Sequence, residues 1–131
     1  AEALAAFVTQ KRIVACTTAA INHPLLLHKR FDWCIVDEAA QISLPACLGP
    51  LRFADRFVLV GDTHQLPPLV RSREAAAAGL SRSLFAHLAD AHPQAVARLC
   101  RQYRMNADVM CVANRLVYNG LLECGDEATA Q

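Results

Sequence analysis

The sequence lacks three features that would each define a class of protein. It contains no C-x-x-C pair, no apolar run long enough to cross a bilayer and no G-x-x-x-x-G-K-[ST] loop. The first absence argues against a zinc site or a redox-active dithiol, and the second against a membrane-spanning helix. The third means that this stretch does not itself supply the glycine-rich cradle of a triphosphate site, and its only lysines are Lys11 and Lys29.

Composition predicts an ordered domain in a reducing compartment. The 131 residues are 54% hydrophobic and 19% charged, which argues against disorder, and the net charge of +1 neither supports nor excludes a nucleic-acid partner. Three of the six cysteines lie in apolar runs, so we expect buried free thiols, with disulfides or a metal site as the alternative. No signal peptide is predicted for residues 1–10. The chain begins in a helical pattern and its first methionine is Met105, so we expect a segment of a larger protein.

Short strands and helices alternate in the predicted secondary structure. Apolar runs rich in β-branched residues predict strands buried on both faces of a parallel sheet, at residues 12–16, 32–36, 56–60 and 96–100. Helical patterns cover residues 82–90 and, more strongly, 106–119, where Gly120 can end the helix. Adjacent prolines make residues 65–73 a loop. The alternation predicts an α/β fold.

Acidic residues follow two of the predicted strands at the point where each strand ends. Asp37 and Glu38 come directly after residues 32–36, and Gly61 and Asp62 follow residues 56–60. A right-handed crossover between parallel strands brings both loops to one edge of the sheet, where ligands bind. Adjacent carboxylates repel each other, and either a bound cation or a solvated turn would offset that cost.

A strand that ends in Asp-Glu is suited to Mg²⁺ beside a nucleoside triphosphate. Asp37 would bind the metal, directly or through water, and Glu38 would orient or deprotonate the attacking water. A solvated acidic turn is the alternative interpretation for such a pair.

Three further side chains suit the same chemistry. Gly61 permits a tight turn, and Gln65 supplies an amide that could bond a phosphate or the attacking water, unless it is a loop residue hydrogen-bonded to its own backbone. Tyr103 could stack on a base. Arg104 could stabilise charge on a transferring phosphoryl group, unless it is a surface arginine paired with Asp108.

Four motifs, in this order and spacing, resemble the middle of a superfamily 1 helicase: TT at 17–18, DEAAQ at 37–41, GDTHQLPPLV at 61–70 and QYRMN at 102–106. Within that superfamily, the chain most resembles the DNA replication ATP-dependent helicase/nuclease family over roughly residues 12–125. This closer resemblance lies in INHPLL, FDWCIVDEAAQISLP, CLGPL and LVYNGLLECG.

The resemblance implies a role for each matching residue. Asp37 and Glu38 match the Mg²⁺-binding and water-activating pair, Gln65 matches the phosphate-sensing glutamine, and Arg104 matches the arginine that reaches the terminal phosphate. Nucleotide contacts are implied for Gly61, Asp62, Gln102 and Tyr103. Contacts with single-stranded DNA are implied for Thr17, Thr18, Pro67 and Pro68; for the threonines, β-branched residues that end a strand are the alternative.

The resemblance also implies a fold and an activity. Residues 1–100 would form the back part of a first RecA-like domain of the P-loop NTPase type, and residues 101–131 would lead into a second. ATP and Mg²⁺ are the implied cofactors, with the phosphate cradle upstream, so the chain alone should not hydrolyse ATP. Any nuclease or iron–sulfur region would lie outside it.

The implied activity is 5′-to-3′ movement on single-stranded DNA with unwinding of duplexes, flaps and forks in replication and repair. No membrane partner is expected, and the implied location is the nucleus, with mitochondria as a second one. A superfamily 1 RNA helicase and an inert, truncated helicase-like scaffold are the alternatives.

Overall fold

The computed structural model describes Ala6 and residues 10–131 of the chain. It divides into two compact units, of which the first ends at Ala91 and the second is His92–Gln131. The predicted helical start of the chain falls mainly outside the described residues. The assignment of residues 1–100 and 101–131 to two RecA-like domains stays a prediction.

The first unit is organised by two parallel strands. β1 is Phe31–Val36 and β2 is Ala54–Leu59, and their register pairs Phe31 with Ala54 and Val36 with Leu59. The crossover between them contains the 3₁₀ turn Ala39–Gln41 and the helix α1, Leu44–Leu51. Pro45 is tolerated in the first turn of α1, because an amide hydrogen there has no partner within the helix. Two of the predicted strands and the α/β class are therefore confirmed.

The core of the first unit lies on one face of this strand pair. Val36, Ala39 and Cys47 are buried, and partly buried apolar side chains pack against them: Cys34, Ile42, Leu51, Leu59, Leu84 and Phe85. The opposite face of β1 is open, and Ile35 is 70% exposed. The prediction that these strands are buried on both faces is therefore wrong, because the described elements cover only the Val36 side.

The other two predicted strands, at residues 12–16 and 96–100, are not strands in the structure. Ile13 and Leu99 are each 89% exposed. A buried strand needs neighbours that satisfy its backbone N–H and C=O groups. Within the described residues no strand pairs along residues 12–16, and residues 96–100 meet a strand only at their end, where the Cys100 carbonyl accepts the Glu123 N–H at 2.9 Å. An apolar run alone does not reveal whether that partner exists.

Two further helices complete the first unit. α2 starts at Arg73–Ala75, continues as the π-helical turn Ala76–Leu80, and is capped by Ser72, whose hydroxyl accepts the Ala75 N–H at 3.1 Å. α3 is Leu84–Ala91, as predicted for residues 82–90, and buried Ser83 accepts the Ala86 N–H at 3.1 Å. Residues 65–73 form the predicted loop up to the start of α2.

The second unit pairs two short parallel strands beside one helix. β3 is Arg101–Gln102 and β4 is Glu123–Cys124. α4 is Ala107–Ala113 and continues as the π-helical turn Asn114–Tyr118; Asn119, with φ 52°, caps its end, and Gly120, with φ 80°, follows. Asn106 caps α4 by accepting the Val109 N–H at 3.0 Å, which confirms the predicted start of this helix. The last helix, α5, is Glu127–Ala130.

The cysteines are free thiols, as predicted. Only Cys47 is fully buried, whereas Cys16 and Cys111 are exposed, so the expectation of burial is wrong for those two. Burial, and then the neighbouring Cys34 thiol, raises the pKa of Cys47 above its ordinary value. In the described part of the chain, no helix is both long and apolar enough to span a membrane.

Candidate functional site

The loops that follow β1 and β2 meet at the carboxyl ends of the strands. The Val60 N–H donates to Val36 O and the Ala39 N–H donates to Val60 O, each at 2.8 Å, so the ladder continues beyond both strands. Gly61 lies so close to the turn after β1 that a Cβ atom there would be 2.9 Å from the Ala40 nitrogen. The predicted convergence of the two loops is therefore confirmed.

The two adjacent carboxylates lie at this rim, and both are exposed. Asp37 Oδ1 accepts the Glu38 N–H at 2.9 Å. Glu38 adopts the left-handed conformation, with φ 53° and ψ 34°. For a residue with a side chain this costs about 1–2 kcal/mol, and such strain is concentrated at functional sites. Glu38 thus changes the direction of the chain immediately after the strand.

Gln41 holds the Glu38 carboxylate, a contact that the sequence analysis missed. Gln41 Nε2 donates to Glu38 Oε2 at 2.9 Å, and the Gln41 N–H donates to Glu38 O at 3.0 Å. The available signal was the Glu-x-x-Gln spacing within a turn. One oxygen of Asp37 and one of Glu38 are therefore fixed locally, and the second oxygen of each has no hydrogen-bond partner among the described residues.

These carboxylates fit a magnesium ion that is bound mainly by other groups. Among the residues that the structure describes, no cluster of three or more His, Cys, Asp or Glu side chains could hold a metal ion by itself. Mg²⁺ commonly takes only one or two carboxylates and completes its octahedron with waters and phosphate oxygens. An exposed Asp37 with one oxygen held and the other open suits that mode of binding.

The loop after β2 is shaped by Asp62. Its carboxylate accepts the His64 N–H at 2.8 Å and Gln65 Nε2 at 3.3 Å, and its carbonyl accepts the Gln65 N–H at 3.2 Å. The Gln65 side chain is thus held by a carboxylate, whereas the alternative interpretation tied it to its own loop backbone. The predicted nucleotide contacts of Asp62 and Gly61 stay predictions.

A cavity of about 200 Å³ adjoins this loop. It is lined by Ala40 from the turn after β1, by residues of the loop after β2 that include Asp62, Gln65 and Pro67, and by the start of α3. Pro68 lines it too but is buried, so it supports the loop, whereas Pro67 is exposed. Both loops that carry candidate phosphate-binding residues therefore share one cavity wall.

The threonine pair lies in the first unit, where the Thr17 backbone is extended. Thr17 precedes the 3₁₀ helix Thr18–Asn22, and its carbonyl accepts the Ala20 N–H at 3.0 Å. The Thr17 hydroxyl makes no capping hydrogen bond and is exposed, while Thr18 is half-buried. No strand ends here in the structure, and the predicted contacts with DNA stay predictions.

In the second unit, Gln102 is turned into its own loop. Its Oε1 accepts the backbone N–H of Arg104 at 2.9 Å and of Met105 at 2.7 Å, and its Nε2 donates to Met105 O at 2.7 Å. Tyr103 is 66% exposed, and Arg104 is exposed without an ion pair to Asp108. These bonds give Gln102 a structural role, and its predicted contact with a nucleotide stays a prediction.

Comparisons with known proteins match both units. A family model described as an AAA domain matches residues 1–73, and a second model with the same description matches residues 80–131. Proteins called DNA replication ATP-dependent helicase/nuclease DNA2 are similar to almost the whole chain. The one from Xenopus laevis is 54% identical over 125 residues, which cover 95% of this chain and 12% of that protein.

The human protein of that name is 58% identical over 118 residues, which cover 90% of this chain and 11% of the relative. The Saccharomyces cerevisiae protein is 46% identical over 121 residues, 91% of this chain and 8% of the relative. The chain therefore spans about a tenth of the length of these curated relatives.

Proposed function

Because this chain belongs to the AAA domain family, as a DNA2-like segment of a superfamily 1 helicase, we propose that it forms part of the ATPase motor of a DNA helicase/nuclease. The observation that carries the proposal is the junction of the two loops through Val36, Ala39 and Val60, which brings the acidic turn and the Gln65 loop to one rim. The motor would act in DNA replication, as the names of the relatives suggest, and we propose that it also acts in repair.

At this rim each side chain has a distinct task. Asp37 would hold Mg²⁺, which supplies neutralisation of the triphosphate charge when bound. Glu38, its carboxylate steadied by Gln41, would accept the proton of the attacking water. Gln65 would donate its amide to the terminal phosphate and thereby sense whether that phosphate is present. Asp62 supports this task because it accepts the Gln65 amide.

Two exposed residues of the second unit have proposed roles at the transferring phosphoryl group and at the base of the nucleotide. Arg104 would stabilise negative charge on the transferring phosphoryl group, a role worth about 10³- to 10⁵-fold in rate. Tyr103, with an exposed ring, would lie beside the nucleotide and could stack on its base.

Single-stranded DNA, including flaps and forks, is the proposed substrate. The exposed Thr17 hydroxyl can donate to a phosphate oxygen, since it makes no capping bond to the chain. Thr18 and the loop that contains Pro67 and Pro68 would extend this contact. Because this loop also carries Gln65, it would couple the presence of the terminal phosphate to the grip on the DNA strand. We also propose 5′-to-3′ movement and a nuclear location, with mitochondria as a second one.

The test uses the intact protein that contains this sequence, with DNA-stimulated ATP hydrolysis as the readout. Asp37→Ala and Glu38→Gln should each lower kcat by at least about 100-fold, the smaller end of the effect of a general base. Binding of single-stranded DNA should be retained. Glu74→Gln is the matched control, because Glu74 is an exposed carboxylate in the first turn of α2.

Wild-type ATP hydrolysis in both variants would remove these carboxylates from the active site. Unwinding of a matched RNA duplex without unwinding of the DNA duplex would replace the DNA substrate by RNA. The isolated chain should show no turnover, because it lacks the glycine-rich phosphate loop.

A further inference from the structure

The Gln102 amide uses both of its ends on one short loop. Its oxygen accepts from two successive backbone N–H groups, those of Arg104 and Met105, and its nitrogen donates to the Met105 carbonyl. Three bonds of 2.7–2.9 Å therefore fix Arg104 and Met105 to a single side chain. Few other side chains can do this, because glutamate lacks the donor and asparagine is one methylene shorter.

The surroundings hold the Gln102 side chain in place. It is half-buried, and its Nε2 lies 3.6 Å from Met110 Sδ of α4 and 3.5 Å from Cys124 Sγ of β4. Weakly polar sulfur atoms on two elements thus form the wall behind the amide. Hydrogen bonds that are shielded from water in this way are stronger than exposed ones. The packing of Gln102 against α4 and β4 therefore restrains the loop that its amide binds.

Gly125 provides the second half of the arrangement. Its N–H donates to Gln102 O at 2.9 Å, and the Tyr103 ring lies directly against its Cα, so that any Cβ atom at position 125 would overlap the ring. Tyr103, in the loop held by Gln102, therefore packs against Gly125. Arg104, the next residue, remains exposed.

From this geometry we infer that Gln102 is a positioning residue, which holds the loop of residues 103–105 so that Arg104 is preset for the phosphoryl group. The inference rests on the proposed function. An arginine on a preset backbone loses less freedom when it engages the transition state, and a misplacement of about 1 Å costs roughly 100-fold in rate. In this role Gln102 acts through Arg104 and needs no contact of its own with the nucleotide.

The test measures kcat and KM for ATP in the intact protein with saturating single-stranded DNA. Gln102→Ala removes all three bonds and should lower kcat by roughly 100-fold. Gln102→Glu keeps the two accepted bonds, loses the donated one and should lower kcat by roughly 10-fold. The KM for ATP should change by less than about threefold in both, because Arg104 acts on the transition state rather than on the bound substrate. Gln94→Ala, at an exposed glutamine of the same unit, is the matched control and should match the wild type.

A double-mutant cycle separates positioning from simple destabilisation. If Gln102 acts through Arg104, Gln102→Glu should cause no further loss of kcat in an Arg104→Ala background. Should Gln102→Ala fail to fold, Gln102→Glu carries the test, because it preserves the side-chain volume. Wild-type kcat in Gln102→Glu, or an equal further loss in the Arg104→Ala background, would overturn the inference. Wild-type kcat in Arg104→Ala would instead refute the role proposed for that arginine.

Discussion

Replacing Gly61 with alanine would insert a methyl group where the loops after β1 and β2 touch. The new Cβ would lie 2.9 Å from the Ala40 nitrogen, 3.3 Å from the Ala39 nitrogen and 3.3 Å from the Ala40 Cβ. Two of these atoms belong to the backbone, and the Ala39 N–H is already bonded to Val60 O at 2.8 Å. The turn cannot yield as a flexible side chain would, so we expect the free energy of unfolding to fall by about 1–3 kcal/mol.

Gly49→Ala is the matched control for this substitution. Gly49 lies within α1, and a Cβ there would meet only Ile21 Cγ2, at an ordinary 3.5 Å. Alanine is favoured over glycine inside a helix by roughly 0.5–1 kcal/mol, so the control should equal or exceed the wild type in stability. Urea denaturation followed by circular dichroism measures both. Equal unfolding midpoints for the two variants would refute the reasoning that Gly61 joins the loops.

Three further predictions concern stability and titration. Asn114→Ala should lower the free energy of unfolding by about 1–3 kcal/mol in urea denaturation, because Asn114 Oδ1 accepts the Leu122 N–H at 3.0 Å and its Nδ2 donates to Leu122 O at 2.9 Å. Burial raises the pKa of Cys47 above 9.0. The stability that the neutral Cys47 thiol contributes should therefore be complete below pH 9.0 and be lost as the pH rises through the folded-state pKa. In Cys47→Ala the free energy of unfolding should fall less over the same pH range. Hydrogen bonds from the Thr129 hydroxyl and N–H lower the pKa of Asp126. The stability that the Asp126 carboxylate contributes should therefore be lost only as the pH falls through the lowered pKa. Thr129→Val should raise the pKa of Asp126 in an NMR titration.

Periodicity and spacing were sufficient for several elements. The runs at 32–36 and 56–60 are strands because each has a parallel partner of matching length, and α4 begins at Asn106 because its side chain caps the helix. The convergence of the acidic turn and the Gln65 loop followed from the parallel order of the strands alone. The superfamily 1 resemblance, based on four motifs, is confirmed by the matches over both units.

Other features depend on contacts that a linear pattern does not contain. Residues 12–16 and 96–100 are apolar enough for strands, but a strand exists only if another strand accepts its backbone bonds. The left-handed conformation of Glu38 carries no sequence signal, since glutamate rarely adopts it. Gln102 was predicted to contact a nucleotide because of its motif, whereas its three loop bonds become visible only when the turn is folded.

The most direct test of the central claim is a crystal structure of the intact protein with Mg²⁺ and a non-hydrolysable ATP analogue. We expect an Asp37 carboxylate oxygen to bind the ion at about 2.1 Å or through one water. We expect Glu38 to lie within hydrogen-bonding distance of the water that faces the terminal phosphate. A bound nucleotide whose magnesium ion and attacking water contact neither carboxylate would contradict the account.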